Sequence, residues 1–185
     1  MPPAERRPSR ADLAAAADRT LPAVVAAGLR VLFCGINPGL YSAWTGHHFA
    51  RPGNRFWPAL HRSGFTPRQL APAEQEELLH WGLGVTNVVE RASAAAAELT
   101  PTELREGGRR LVADVAEYRP AWLAVLGVTA YRTAFDRPAA TFGEQEATLG
   151  PTRVWVLPNP SGLNAHFTPT ALAESFAALR RAVEG

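Results

Sequence analysis

Four short apolar runs punctuate the chain, each stopped by turn-forming or polar residues. Arg30 to Ile36 reads RVLFCGI and halts at Asn37-Pro38-Gly39. Leu83 to Val89, Ala121 to Gly127 and Arg153 to Leu157 are built alike. Continuous runs of this length are what strands buried on both faces require, as in a parallel sheet. Helical patterns separate them. Thr100-Pro101-Thr102-Glu103 supplies an N-cap, a proline at the first helical position and a glutamate at the third. Thr66-Pro67-Arg68-Gln69 repeats that arrangement and predicts another helix start, and Thr168-Pro169 opens the last helix. Leu104, Leu111, Val115 and Tyr118 then share one helical face, as do Leu172, Phe176, Leu179 and Val183. Phe56 and Trp57 begin a further helix and pack into the core. Strands alternating with helices predict an α/β fold with a parallel sheet of about four strands, covered on both faces.

Length places the pattern in one domain. The 185 residues fall within the usual size of a single unit. Residues 1–25 read as a polar, Pro- and Ala-rich lead-in to a domain over 26–185. Hydrophobic residues make up 46% and charged residues 19%, a globular balance. The lone cysteine, Cys34, excludes a disulfide framework and a four-cysteine zinc site. The longest apolar runs fall far short of the ~20 residues that span a bilayer. Arg6, Arg7 and Arg10 precede an alanine tract broken by Asp12 and Asp18, which is not the form of a secretory leader. A soluble, cytoplasmic protein with no membrane partner is expected.

Charge narrows the chemistry. All 19 basic residues are arginine. Lysine Schiff-base chemistry is therefore excluded, leaving only the terminal amine, and so is a phosphate loop of the GxxxxGKS type. The net charge of +2 allows nucleic acid binding only through a local surface.

Ligands of parallel α/β sheets bind beyond the carboxyl ends of the strands, so the loops there carry the candidate chemistry. After the first strand comes Gly35-Ile36-Asn37-Pro38-Gly39-Leu40. Pro38 forces Asn37 out of helical geometry. Asn37 either caps its own turn or presents its amide to a ligand. The chain continues through Gly46-His47-His48-Phe49 to Pro52-Gly53-Asn54-Arg55-Phe56-Trp57. The adjacent histidines point apart on an extended chain and lack a third ligand, so no metal site is expected. Phe49 could stack on a planar ring. After the second strand, Asn87 faces a pocket or caps the strand. Glu90 and Arg91 form a local ion pair or face solvent, and Ser93 holds a water or makes a turn. After the fourth strand, Pro158-Asn159-Pro160-Ser161-Gly162-Leu163-Asn164-Ala165-His166-Phe167 is a stiff loop. Its apolar Leu163 either tucks onto the surface or serves as a wedge in a base stack.

Taken in order and at their separations, GINPGL (35–40), GHHF with PGNRFW (46–57), GVTNVVER (84–91), REGGRRL (105–111) and LPNPSGL (157–163) resemble the mismatch-specific uracil/thymine DNA glycosylases of the uracil-DNA glycosylase superfamily. The resemblance spans about residues 29–180. It implies a three-layer α/β/α fold and a monofunctional glycosylase that initiates base excision repair. Uracil, and by extension thymine or modified pyrimidines, would be excised from G·U or G·T mispairs by base flipping and water attack at the sugar C1′. Asn37 would be catalytic and position the water, with Ser93 or Glu90 holding or activating it. Gly35, Ile36, Phe49 and Asn87 would form the base pocket. Asn159, Ser161, Gly162, Leu163, Asn164 and His166 would make the wedge and grip the DNA backbone. Arg51, Arg55 and the helix start near Thr168 are candidate phosphate contacts. Relatives of the bacterial type continue the wedge as Leu-Ser-Arg, whereas this chain reads Leu163-Asn164-Ala165. The resemblance implies no cofactor or metal. It implies double-stranded DNA carrying a mismatch and downstream abasic-site repair enzymes as partners, and a monomer. The replacement of an acid by Asn37 leaves a catalytically weak sensor of mismatches or abasic sites as the alternative. A nucleotide-binding protein using the Asn37–Gly39 loop is opposed by the missing lysine.

Overall fold

The structure is a computed structural model that describes residues 6–185. Its centre is a five-stranded sheet of order β2-β1-β3-β5-β4. Strands β1 (Val31–Gly35), β2 (Leu83–Asn87), β3 (Trp122–Leu126) and β5 (Arg153–Leu157) run parallel and coincide with the four apolar runs. The fifth, β4 (Gly143–Glu144), is a two-residue antiparallel addition against β5. It carries no apolar pattern, which is why the sequence predicts only four.

Alternation along the strands feeds two cores. Val31 and Phe33 of β1, Leu83 and Val85 of β2, and Trp122, Ala124 and Leu126 of β3 face one side. There they meet α3 (Phe56–Arg62) and α6 (Pro169–Glu184) through Phe56, Leu60, Leu172, Phe176 and Leu179. Phe33 packs edge-on to Phe56 and stacks on Phe176, with ring centroids 5.5 and 5.8 Å away. The alternate residues Leu32, Cys34, Leu123, Val125, Val154 and Val156 face α4 (Pro101–Tyr118) and α5 (Val128–Ala134) through Leu111, Val115 and Tyr131. The result is the expected three-layer α/β/α arrangement.

Two helix starts follow the sequence signals. Thr100 accepts the Glu103 N–H, Glu103 reciprocates, and Thr168 accepts the Ala171 N–H. The third does not. Thr66 sits in a bend and donates its hydroxyl to Arg68 O. The helical segment that follows is a run of 3-10 turns, Pro72–Trp81, whose start is set by Glu74 accepting the Ala71 N–H at 2.8 Å.

Of the lead-in expected over 1–25, residues 1–5 lie outside the described residues. A short helix, α1 (Arg10–Ala15), rests on α2 (Leu40–Thr45), with Ala16, Ala43 and Ala92 buried between them. The chain then runs along β2. Val24 exchanges two backbone hydrogen bonds with Val85, both 2.9 Å, and Thr20 bridges to Arg91.

Candidate active site

The strand order creates the site. From β1 the chain moves to β2 on one side, then crosses back to β3 on the other. Such a reversal opens a crevice at the carboxyl ends. Here it is a cleft of about 240 Å³ lined by Gly35 to Pro38, Asn87, Leu126 and Asn159 to Ser161, with Phe49, Leu21 and Leu163 closing its flanks. That is below the ~300–1,000 Å³ of drug-sized ligand sites. It suits one small planar ring and water.

Parallel pairing continues past the strands and brings Asn37 to its partners. Val88 and Val89 donate to Gly35 O and Ile36 O at 2.9 Å, and Ser93 N–H donates to Pro38 O at 3.1 Å. The Asn37 Nδ2 donates to Arg91 O at 3.0 Å and to Ser93 Oγ at 2.7 Å. Ser93 Oγ in turn donates to Ala95 O at 2.8 Å. A carbonyl can only accept, so the amide nitrogen must face Arg91 O, and the orientation of the amide is fixed. Both amide protons are spent, and Oδ1 is the acceptor Asn37 offers to the cleft. Ser93 spends its one proton on Ala95 and therefore braces Asn37. The Arg91 segment is itself tied down: its guanidinium engages both oxygens of Glu103, at 2.5 and 3.1 Å. The Arg91 hydrogen bond, helped by the Thr100 N–H, holds the Glu103 carboxyl down at about 2.

The floor is tight. A Cβ on Gly35 would stand 2.6 Å from Asn87 Oδ1 and 3.3 Å from the Phe49 ring, so only glycine leaves the pocket open. Phe49 stacks on Phe56, with centroids 4.2 Å apart, and its backbone takes a φ of 52°. A non-glycine residue in that region is uncommon, and such residues cluster at ligand sites. Asn87 is buried beside His48, its Nδ2 3.4 Å from His48 Nδ1. His48 Nε2 lies 2.8 Å from Pro22 O, so Nε2 carries the proton and Nδ1 accepts. Burial lowers the His48 pKa from 6.5 and favours this neutral form. The rest of the loop is fastened too, because Trp57 Nε1 donates to His48 O and His48 N–H donates to Gln75. The two histidines thus do different things: His48 is a buried structural group, and the Nδ1 of His47 is buried with no hydrogen-bond partner among the described residues.

At the lip, Leu163 is 76% exposed. Local bonds shape its loop. Ser161 N–H donates to Asn159 Oδ1, Leu163 N–H to Ser161 Oγ, and His166 N–H to Asn164 Oδ1. Gly162 lies against the preceding loop, where a Cβ would come within 2.5 Å of Gly53 O. Asn164 and His166 face a neighbouring groove with Phe142 and Phe167 rather than the cleft.

Two expectations change. Arg55 is not a free phosphate contact, since its guanidinium donates to the carbonyls of Ser161, Gly162, Asn164 and Phe167. Glu90 does not turn inward. It is exposed, outside the cleft lining, with Oε1 3.6 Å from Arg110. Among the described residues, the cleft lining contains no carboxylate, and Arg51 is its charged member. Sequence reasoning missed Leu21, Ser42 and His48 as lining residues. Ser42 is built into the site by accepting the Ala50 N–H at 3.1 Å. The only advance signal was the apolar Leu21-Pro22-Ala23-Val24-Val25 stretch inside the supposed lead-in.

Known proteins bear on this geometry in two ways. A solution NMR structure of a Methanosarcina acetivorans protein, provisionally described as a uracil DNA glycosylase, superposes with a TM-score of 0.62 at 21% identity, covering 91% of this chain and 99% of that one. That similarity establishes the fold. The family model of the Uracil DNA glycosylase superfamily matches residues 22–180, which take in all four parallel strands and every part of the cleft described above except Leu21. With a sheet reversal, a ring-sized cleft and an oriented amide inside that match, the chain belongs to the uracil DNA glycosylase superfamily, enzymes that hydrolyse the N-glycosyl bond of a base in DNA.

Proposed function

We propose that the protein is a monofunctional, mismatch-specific glycosylase that removes uracil, and by extension thymine or a modified pyrimidine, from G·U and G·T mispairs. The observation that carries this reading is the Asn37 amide, held by Arg91 O and Ser93 Oγ with Oδ1 left over, in a cleft whose lining offers no carboxylate among the described residues. An amide has no useful basicity. It can orient a water toward C1′ but cannot take its proton, so the reaction leans on the departure of the base as an anion. Losing a general base costs about 10²–10⁴-fold, and a slow enzyme follows.

A base stacked in a duplex cannot enter such a cleft, so the nucleotide must rotate out at a cost of a few kcal/mol. A wobble pair is already weakened, which favours mispairs. Phe49 then stacks on the pyrimidine, Asn87 meets its polar edge, and Leu163 fills the vacated space. Arg51, exposed at the mouth, meets a phosphate. With no lysine in the chain, strand cleavage through a lysine Schiff base does not follow base release. The same reading makes the protein a cytoplasmic monomer that hands its abasic product to other repair enzymes.

The test is a gel series with end-labelled duplexes carrying G·U, G·T or A·U, excess enzyme and EDTA. Cleavage that needs later alkali, fastest for G·U, is the expected result. Cleavage before alkali would exclude the monofunctional reading. Binding without any abasic product would leave the mismatch sensor.

A further inference from the structure

Arg55 has an arrangement that the activity alone does not require. Its guanidinium is surrounded by four carbonyl oxygens of one loop: Asn164 at 2.7 Å, Ser161 at 3.2 Å, Gly162 at 3.4 Å, and Phe167. Its backbone N–H adds a fifth bond, to Pro160 O at 2.9 Å. Ser161 O also accepts the Asn164 N–H at 3.0 Å, but the loop offers no helical or sheet partner to the carbonyls of Gly162, Asn164 and Phe167, which without Arg55 would turn to water. The loop carries Leu163, whose carbonyl is not among those Arg55 holds and whose side chain is 76% exposed. The charge of Arg55 is therefore used inward, to draw the loop around itself, and the apolar side chain is left pointing out.

We propose that Arg55 is a positioning residue that pre-forms the wedge, so that DNA meets Leu163 already presented instead of ordering the loop itself. The proposal rests on the glycosylase reading. A loop ordered before binding does not spend binding energy on its own ordering. A planar fork is needed for this, because one group must reach carbonyls on several sides; a lysine ammonium keeps the charge but not the fork. Close contact of Gly162 with Gly53 O adds a second constraint on the same loop.

Two measurements test it, on the full chain with Arg55→Gln and, in parallel, Arg55→Lys. The first is amide hydrogen exchange without DNA. Exchange over residues 160–168 should rise about tenfold or more in Arg55→Gln, less in Arg55→Lys, with the strand amides unchanged. The second is a double-mutant cycle with Leu163→Ala, read by 2-aminopurine fluorescence beside a G·U pair and by single-turnover cleavage. Arg55→Gln alone should slow flipping and cleavage about tenfold, and in the Leu163→Ala background its effect should shrink to less than about threefold, since residues acting through one another are not additive. Unchanged loop exchange, or equal effects of Arg55→Gln in both backgrounds, would overturn the proposal. A wild-type protein that cleaves none of the duplexes would instead sink the glycosylase reading, and the exchange arm would still decide whether Arg55 holds the loop.

Discussion

Asn37 is positioned by what it gives away. Its two amide protons go to a carbonyl and to a hydroxyl that is itself committed, and the remaining oxygen has one orientation. Asn37→Ala should therefore lower single-turnover cleavage by at least ~10²-fold while DNA binding persists. Asn37→Asp is the sharper probe. It supplies a potential base of the same shape, but one carboxylate oxygen would face Arg91 O with no proton between them. Cleavage by this variant at pH 7 should not exceed wild type; a faster variant would mean the site is waiting for a base. His48 adds a pH dependence. Its pKa is lowered in the folded state by burial, so the folded chain binds fewer protons than the unfolded one as pH falls below 6.5. Stability is then full above that value and declines below it, by up to ~1.4 kcal/mol per pH unit for one proton. Melting temperatures at pH 7.5 and 5.5 should differ more in wild type than in His48→Gln. The places of Asn37 and Phe49 at the cleft could be anticipated from turn residues and a stray aromatic. Those of His48 and Arg55 could not. Each is decided by a carbonyl far away in sequence, Pro22 for one and the 161–167 loop for the other, and no local pattern announces a backbone oxygen.

At the scale of elements, α4 makes the closest approach. A Cβ on Gly107 would stand 2.1 Å from Val88 O, and one on Gly108 would stand 2.3 Å from Ala134 O. One turn on, Arg110 donates to Asn87 O at 2.6 Å and to Val88 O at 3.0 Å. The REGGRRL stretch therefore does not touch the cleft; it lays a helix directly on the end of β2 and caps the carbonyls of Asn87 and Val88. Gly107→Ala must push α4 away, at a cost of ~1–3 kcal/mol for an overpacked contact. Urea denaturation should record that loss, and cleavage should fall further than stability alone accounts for, because Asn87 moves with its strand. Strands and the capped helices were legible because a buried strand needs apolar residues throughout and a cap needs a particular side chain. The start at Ala71 was not, since its cap is the carboxylate of Glu74 reaching back rather than the threonine five residues earlier. Nor was β4, two residues without an apolar side chain, whose one side-chain tie to β5 is the Glu144 carboxylate accepting from Arg153.

For the molecule as a whole, the stretch from Asp18 to Val24 matters more than its composition suggests. Leu21 reaches the cleft, Pro22 O fixes the His48 tautomer, and Val24 is 2% exposed. A buried aliphatic side chain of this size contributes ~1.5–3 kcal/mol. Deleting the residues up to Val24 should lower the melting temperature and reduce cleavage together. An unchanged melting temperature would mean the stretch is an appendage. The same stretch lies along the outer side of β2, while the opposite flank of the sheet ends in β4, only two residues long. A strand with unpaired N–H and C=O groups is a template onto which another chain can add, and proteins blunt it with a cover or with brevity. This sheet uses both devices, one on each side. Removing the cover would bare a ladder of Leu83, Val85 and their neighbours, so the truncated protein should cloud on standing at concentrations where the full chain stays clear.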